Sequence, residues 1–204
     1  MSMRGRASQV TDLGDGTVLR VGGDPRREAR LMELAGTHGI RVPRVVEARP
    51  EALVLERIAG DTMAARLLRR PWEAARQLGE LVALHEQVHR VPLDGARLVH
   101  RDLHPENVLL APDGAVLIDW TNAGAGDPAM DVALTWLIME TSAGLPGQVL
   151  AWLFRRRAGD EAIRRGLDAA GAYRLSDPNV TDDERARVRR TLAEEGTTGP
   201  SKSG

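Results

Sequence analysis

The most informative stretch of the sequence is residues 98–120, which read LVHRDLHPENVLLAPDGAVLIDW. Asn107 follows Asp102 by five residues, and Asp119 follows Asp102 by seventeen, at the end of an apolar run. The apolar runs on both sides of the loop predict short strands, and two strands that flank a loop can direct side chains toward one point. Phosphoryl transfer needs a carboxylate beside the attacking hydroxyl and oxygen ligands for magnesium. The spacing makes Asp102, Asn107 and Asp119 candidate residues for that chemistry.

The composition of the 204-residue chain excludes several other chemistries. There is no cysteine, which removes thiolate nucleophiles, disulfides and thiolate-bound metal sites. Of the 28 basic residues all but Lys202 are arginine, so Schiff-base chemistry and a Walker-type phosphate loop are absent as well. Arginine keeps its charge and remains able to clamp phosphates and carboxylates.

The charge pattern argues against a nucleic-acid or membrane partner. The formal net charge is −1, and the arginine clusters mostly lie within one helical turn of Asp or Glu, as on solvated helix faces. No apolar stretch approaches the ~18 residues of a membrane-spanning helix, and residues 1–6 do not resemble a signal peptide. We expect a cytoplasmic protein that binds neither nucleic acid nor membrane.

Hydrophobic periodicity predicts an α+β chain with a mixed unit followed by a helical one. The Asp-Gly pair at 15–16 predicts a β-hairpin, and Asp24 before Pro25 predicts the start of a helix that ends at Gly36 or Gly39. The predicted strands are 10–13, 18–21, 44–48, 52–57, 98–99, 108–110 and 116–118, and the predicted helices are 25–36, 62–69, 72–90, 129–141, 147–157, 160–171 and 182–195.

At residues 98–120 the sequence resembles the protein-kinase-like superfamily, and more closely the aminoglycoside phosphotransferase family. His104 stands where a Ser/Thr protein kinase usually carries lysine, and Ile118-Asp119-Trp120 replaces the usual Asp-Phe-Gly. The segment 126–131, GDPAMD, resembles the Gly-Asp-Pro-x-x-Asp segment of the family, and no Ala-Pro-Glu segment follows Asp119. The resemblance extends over about residues 5–152 and makes a protein kinase the weaker alternative.

The resemblance implies a protein-kinase-like fold with two lobes. Residues 1–57 would form a truncated N-lobe, a small mixed β-sheet with one helix that covers the nucleotide. Residues 58–195 would form a mainly helical C-lobe that contains the catalytic loop at 98–120. Residues 196–204 are polar and glycine-rich, and we expect a disordered tail there.

The resemblance also assigns roles in the loop. Asp102 would position or deprotonate an acceptor hydroxyl, while Asn107 and Asp119 would hold Mg²⁺ on the phosphates of ATP. His100 and Arg101 complete the catalytic set, with His100 as a brace for the loop and Arg101 either solvated or steadying Asp102. The alternatives are a loop carboxylate at Asp102 that satisfies backbone amides, and a turn residue at Asn107.

In the N-lobe the resemblance implies nucleotide contacts. Arg20 takes the position of the basic residue that contacts phosphate, and Glu28 that of its acidic partner. The alternatives are an exposed strand arginine and an ordinary first-turn glutamate. Residues 53–58 match the hinge strand, where adenine would bind main-chain groups near Glu56 to Ile58.

Two departures from the family keep other functions open. Residues 5–8 are at best a remnant of the glycine loop over the phosphates, and the C-lobe is short, so that the acceptor pocket is shallow, formed by a partner subunit, or absent. The leading hypothesis is an ATP- and Mg²⁺-dependent phosphotransferase acting on a hydroxyl of a small molecule such as an aminoglycoside, amino alcohol or sugar. The alternative is a nucleotide-binding pseudoenzyme or scaffold. The oligomeric state is left open, with a homodimer as one alternative.

Four further residues are ambiguous in the sequence. His85 and His89 lie four apart on a predicted helix, a spacing that can bind metal, but no third ligand is evident, and we interpret His85 as a buried, hydrogen-bonded residue. Asp127 and Asp131 are either helix N-caps or residues that tie the catalytic loop to the following helix.

Overall fold

The computed structural model describes residues 9–142 and 144–197. The glycine-loop remnant at 5–8 and the tail from residue 198 onward lie outside the described residues. Gly196 and Thr197, which the sequence analysis assigned to a disordered tail, belong instead to the last helix. That helix is therefore two residues longer than its pattern predicts.

A four-stranded antiparallel sheet and one helix form the first part of the chain. Its elements are β1 (Gln9–Asp12), β2 (Thr17–Val21), α1 (Pro25–Thr37), β3 (Val45–Ala48) and β4 (Ala52–Glu56), with the strand order β1-β2-β4-β3. The hairpin between β1 and β2 is confirmed, and Gly16 has a φ of 86°, which favours glycine.

The start of α1 follows from its local sequence. The Asp24 side chain accepts a hydrogen bond of 3.0 Å from the amide of Arg27, and Pro25 occupies the first helical position, where its missing N–H costs nothing. The buried face of α1 carries Met32 and Ala35 into the core together with the charged Glu28. A buried glutamate on this face signals a partner across the interface.

The second part is mainly helical and contains six short strands. The helices are α2 (Met63–Arg69), α3 (Ala74–His89), α4 (Pro128–Ser142), α5 (Gly144–Ala158), α6 (Asp160–Ser176) and α7 (Asp182–Thr197). The strands are β5 (Asp61–Thr62), β6 (Pro92–Leu93), β7 (Ala96–Val99), β8 (Val108–Ala111), β9 (Gly114–Leu117) and β10 (Gly124–Gly126). They pair as two three-stranded sheets in the orders β10-β7-β6 and β5-β8-β9.

Helix α4 is the buried centre of the helical part, as its apolar sequence predicts. Its residues Ala133, Leu134 and Leu137 are at most 1% exposed. Helix α6 approaches α4 so closely at Gly166 that a Cβ there would lie 2.0 Å from the carbonyl oxygen of Ala129, so only glycine permits the contact. In the described part of the chain, no helix combines the length and apolarity needed to cross a bilayer.

Candidate active site

A cavity of about 320 Å³ lies between the four-stranded sheet and the helical part. Its polar residues come from both sides, since Arg20 and Glu28 lie on β2 and α1 while Asn107 and Asp119 belong to the second part. The other lining residues are mainly apolar, namely Val10, Val18, Met32, Pro43, Leu55, Leu109 and Ile118. An apolar cleft with a few convergent polar groups is the usual form of a small-molecule site.

The segment after β4 forms one wall of this cavity through Glu56, Arg57 and Ile58. The amide of Glu56 donates to the carbonyl of Arg44 at 2.9 Å, and the amide of Arg57 donates to that of Gly16 at 2.9 Å. Within the described residues, the amide of Ile58 makes no hydrogen bond. It is therefore a free main-chain donor beside the cavity.

Asp102 and Asn107 face each other across the loop between β7 and β8. The Nδ2 group of Asn107 donates to Oδ2 of Asp102 at 3.0 Å and to its main-chain carbonyl at 2.8 Å. The Nε2 atom of His104 lies 3.3 Å from the Asp102 Oδ1 atom. Because the amide nitrogen of Asn107 is used on Asp102, its amide oxygen remains available as an acceptor or metal ligand.

Asp119 follows β9 with a left-handed backbone, at a φ of 59°. Its Oδ1 atom accepts hydrogen bonds from Nη2 of Arg20 at 2.9 Å and from the hydroxyl of Thr121 at 2.6 Å. Within the described residues its Oδ2 atom has no hydrogen-bond partner. The amide of Ile118 donates to the carbonyl of Asn107 at 3.1 Å and so holds Asn107 and Asp119 side by side. A non-glycine residue at positive φ is strained and marks a position that the surrounding structure fixes.

Arg20 connects two carboxylates. It forms an ion pair with Glu28 through Nη1 and with Asp119 through Nη2, and it also donates to the hydroxyl of Thr121. Arg20 and Glu28 are only 5% and 2% exposed, which excludes the alternative of an exposed strand arginine and an ordinary surface glutamate. Burial raises the pKa of the Glu28 carboxyl, the charge of Arg20 opposes that shift, and the charge of Asp119 adds to it.

His100 lies inside the protein, away from the cavity. The residue is fully buried, its ring contacts Trp120 edge to face, and its Nε2–H donates to the carbonyl of Ile118 at 3.2 Å. Burial lowers the pKa of the imidazole, although the charges of nearby carboxylates raise it in part. A buried ring bonded to the residue before Asp119 fits the brace that the sequence suggested, and this placement does not support a direct catalytic role.

The side chain of Arg101 has neither of the two environments proposed from the sequence, solvent or contact with Asp102. Its guanidinium donates to the main-chain carbonyls of Asn122 and Ala125, so it is neither merely solvated nor bonded to Asp102. Its φ is 61°, in the region that favours glycine. The side chain therefore holds the segment that follows Asp119.

Asp131 ties the catalytic loop to α4. It is completely buried and accepts hydrogen bonds from the amides of His100, at 3.1 Å, and Arg101, at 2.6 Å, and from Nε2 of His89, at 2.9 Å. Nδ1 of His85 lies 3.5 Å from Oδ2 of Asp131. Asp131 therefore joins His85 and His89 as a third residue of a kind that can bind metal, which the sequence did not reveal. Burial raises the pKa of Asp131, but hydrogen bonds and charge from the two histidines outweigh it and hold the pKa far below its ordinary value.

The surroundings of His85 confirm the interpretation of a buried, hydrogen-bonded histidine. Its Nε2 atom lies 3.0 Å from the hydroxyl of Thr135, which itself donates to the carbonyl of Leu103 at 2.8 Å. Asp127 is a helix N-cap, the other role that the sequence allowed for the two aspartates. Its side chain accepts a hydrogen bond of 2.9 Å from the amide of Ala129 at the start of α4.

The substitution Asp131→Asn should lower the free energy of unfolding at neutral pH by about 3–5 kcal/mol, because it removes one member of a buried charged network. Since the folded state depresses this pKa, the ionised group contributes its full stability above the unfolded value of about 3.9, and that contribution fades as the pH falls below it. Chemical denaturation at neutral and acidic pH should show the two proteins converging in acid. Asp127→Asn should cost less than about 1 kcal/mol, because asparagine caps a helix about as well as aspartate does.

Two residues of this region carry no motif in the sequence. Thr121 fixes the Asp119 carboxylate, and Arg27 on α1 donates to the main-chain carbonyls of Thr121 and Ala123. The contacts of Arg27 join positions more than ninety residues apart, so no local pattern could reveal Arg27. Thr121 lies two residues from Asp119, and that proximity was the only available signal.

Two family models match this sequence. The model of the phosphotransferase enzyme family matches residues 90–187, and that of the RIO domain matches residues 23–134. They overlap over the catalytic loop and Asp119. The RIO-domain match ends within α4, whereas the phosphotransferase match continues through α5 and α6 into α7.

Solved structures share the fold. A choline/ethanolamine kinase family protein from Mesorhizobium loti superposes with a TM-score of 0.61 at 18% identity, over 96% of this chain and 87% of that chain. A thermostable mutant of the aminoglycoside phosphotransferase APH(4)-Ia, in a ternary complex with AMP-PNP and hygromycin B, gives a TM-score of 0.68 at 15% identity over 95% of each chain.

A thiamine kinase from Salmonella paratyphi B is 44% identical over 39 residues, which are 19% of this chain. The match spans only 14% of the length of that enzyme. The chain thus has a two-lobed, protein-kinase-like fold. Over residues 90–187, close to half of the chain, the sequence is similar to the phosphotransferase enzyme family.

Proposed function

We propose that this protein is an ATP- and Mg²⁺-dependent phosphotransferase that transfers the γ-phosphate to a hydroxyl of a small molecule. The observation that carries the proposal is the arrangement of Asn107 and Asp119, which line one end of the cavity, with Asp102, which accepts a hydrogen bond from Asn107. A kinase reaction needs a carboxylate beside the acceptor hydroxyl and oxygen ligands for the metal.

The donor set fits magnesium. Asn107 offers an amide oxygen and Asp119 offers Oδ2, and Mg²⁺ prefers hard oxygen ligands of these kinds. When bound, Mg²⁺ would neutralise charge on the nucleotide phosphates. The αL backbone of Asp119, the Thr121 hydroxyl and Arg20 all limit where the Asp119 carboxylate can lie. The chain itself therefore orients the two ligands.

In the reaction, Asp102 would accept a hydrogen bond from the acceptor hydroxyl and take its proton. The hydroxyl oxygen forms the new bond to the γ-phosphorus as the bond to the β,γ-bridging oxygen breaks, so that ADP leaves and a phosphate ester forms. Asn107 and His104 hold the Asp102 carboxylate from two sides. Asp102 thereby needs little reorientation when the acceptor arrives.

The apolar lining of the cavity suits an adenine ring, and we assign the adenine contacts to the segment Glu56–Ile58. The free amide of Ile58 would donate to a ring nitrogen. At the other end of the cavity, Arg20 would reach the phosphates while remaining bonded to Glu28. We also propose a cytoplasmic location, because the proposed reaction consumes ATP.

Arg20 should be important for nucleotide binding. Arg20→Ala removes a charged hydrogen-bond donor worth about 1.5–3 kcal/mol, so the affinity for Mg-ATP measured by calorimetric titration should fall roughly 10- to 100-fold. Arg20→Lys keeps one positive charge between the two carboxylates and should retain most of the affinity. Arg49→Ala, at an exposed ion pair with Glu47, should bind as the wild type does. An unchanged affinity in Arg20→Ala would show that Arg20 does not contact the nucleotide.

Incubation with Mg-ATP and a panel of aminoglycosides, amino alcohols and sugars tests the proposal. We expect acceptor-dependent formation of ADP that EDTA abolishes. Aminoglycosides are included because structural neighbours bind hygromycin B, gentamicin and streptomycin. Amino alcohols are included because another neighbour is a choline/ethanolamine kinase family protein. Thermal stabilisation by Mg-ATP without any turnover would instead favour a nucleotide-binding pseudoenzyme, and absence of both would contradict the proposal.

A further inference from the structure

Two arginines bind the main chain of the segment that follows Asp119. From α1, Arg27 donates through Nη1 to the carbonyl of Thr121 at 3.4 Å and through Nη2 to that of Ala123. From the catalytic loop, Arg101 donates to two further carbonyls of the same segment. The two guanidinium groups reach the segment from different parts of the protein.

The two sets of contacts alternate along the chain. Arg101 donates through Nη1 to the carbonyl of Asn122 at 3.2 Å and through Nη2 to that of Ala125. Together the guanidinium groups bind the carbonyls of residues 121, 122, 123 and 125. A guanidinium group carries its donors in a planar fork, so one side chain can bind two carbonyls of the segment at once.

Gly124 lies between the two guanidinium groups. A Cβ atom at this position would lie 2.6 Å from Nη2 of Arg27 and 3.1 Å from Nη1 of Arg101. Any other residue would push at least one guanidinium away. The absence of a side chain at Gly124 is therefore a requirement for both contacts to exist together.

Arg27 also closes a ring of contacts with α1. The residue after it, Glu28, binds Arg20, and Arg20 binds Asp119, which begins the segment that Arg27 holds. Helix α1 is thus attached twice to the same segment, once through a carboxylate and once through main-chain carbonyls. Movement of α1 away from the segment would break both attachments.

We propose that Arg27 and Arg101, with the four carbonyls they bind, form a carbonyl clamp that fixes Asp119 in its metal-binding position before a nucleotide arrives. Both arginines are positioning residues for the phosphotransfer reaction, and this role rests on the proposed function.

Arg27→Ala and Arg101→Gly test the clamp. Glycine suits the φ of 61° at position 101, so Arg101→Gly removes the guanidinium without straining the backbone. In each variant we expect hydrogen exchange over residues 119–126 to accelerate roughly tenfold and the KM for Mg-ATP to rise roughly tenfold, with kcat changing less. Arg30→Ala, at an exposed position of α1, is the control and should change neither quantity.

Gly124→Ala provides a second approach from the opposite side of the contact. In the wild-type background it should accelerate exchange over residues 119–126 as Arg27→Ala does. In the Arg27→Ala background its further effect should be smaller than in the wild type, because the Arg101 guanidinium is the only one of the two left for the new methyl group to displace. Fully additive effects would contradict a shared contact.

Wild-type exchange and wild-type KM in Arg27→Ala and Arg101→Gly would overturn the clamp. If circular dichroism shows that Arg27→Ala does not fold, Arg27→Lys provides the test instead. One ammonium group can replace only part of the guanidinium contacts, so this variant should give an intermediate exchange rate. Wild-type exchange in Arg27→Lys and in Gly124→Ala would then refute the proposal. Exchange is measured without nucleotide and so does not depend on activity. If the wild-type protein transferred no phosphate but the variants still exchanged faster, the proposed function would be contradicted and the clamp would be supported.

Discussion

Asp102→Asn should reduce kcat roughly 10²- to 10⁴-fold, the range that a positioned general base contributes. The amide has the shape of the carboxylate and can still accept from Nδ2 of Asn107, but it cannot take a proton from the acceptor hydroxyl. The KM for Mg-ATP should change little, because Asp102 contacts the acceptor. Steady-state kinetics with the best acceptor of the panel measure both constants.

Asp113→Asn is the matched control for that experiment. Asp113 lies in the turn between β8 and β9 and forms an exposed ion pair with Arg41. An exposed pair contributes at most about 1 kcal/mol to stability, so the control should keep wild-type kinetics. A kcat for Asp102→Asn within a few-fold of the control would exclude Asp102 as the base.

Asp119→Asn should lower kcat/KM for Mg-ATP roughly 10²- to 10³-fold, as expected when a major electrostatic contact of the transition state is removed. The variant loses the negative charge that holds magnesium and pairs with Arg20. Asparagine tolerates the left-handed backbone at this position, so the fold should be retained. Rates measured over a range of magnesium concentrations should show a higher requirement for the metal.

Two outcomes would contradict a metal-binding role for Asp119. One is an unchanged magnesium dependence in Asp119→Asn. The other is an equal loss in Thr121→Val, because Thr121 only orients the carboxylate through one hydrogen bond and its loss should cost about 1 kcal/mol. The comparison separates the charge of Asp119 from the position of its side chain.

The sequence predicted features that depend on near neighbours in the chain. Asp24 and Pro25 set the start of α1, as their sequence predicts. The spacing of Asp102 and Asn107 likewise placed both in one loop, where the structure finds them bonded. Local pattern is informative here because few residues separate the partners.

Features set by tertiary contacts could not be predicted in this way. The contact of Asp131 with His89 and the contacts of Arg27 join distant parts of the chain, and no periodicity marks them. The strands β5, β6 and β10 have only two or three residues, too few for an alternating pattern. Arg101 was assigned to the catalytic set because of its motif, but its side chain turns toward carbonyls that only the folded structure brings near.

The fate of the γ-phosphate is the most direct test of phosphoryl transfer at this site. The protein is incubated with magnesium and γ-labelled ATP together with the acceptor panel, and the products are separated into small molecules and protein. We expect a labelled small-molecule phosphate ester that requires magnesium and that Asp102→Asn does not form. Label on a protein partner alone would indicate a protein kinase, and label remaining in ATP with every acceptor would contradict phosphotransfer at this site.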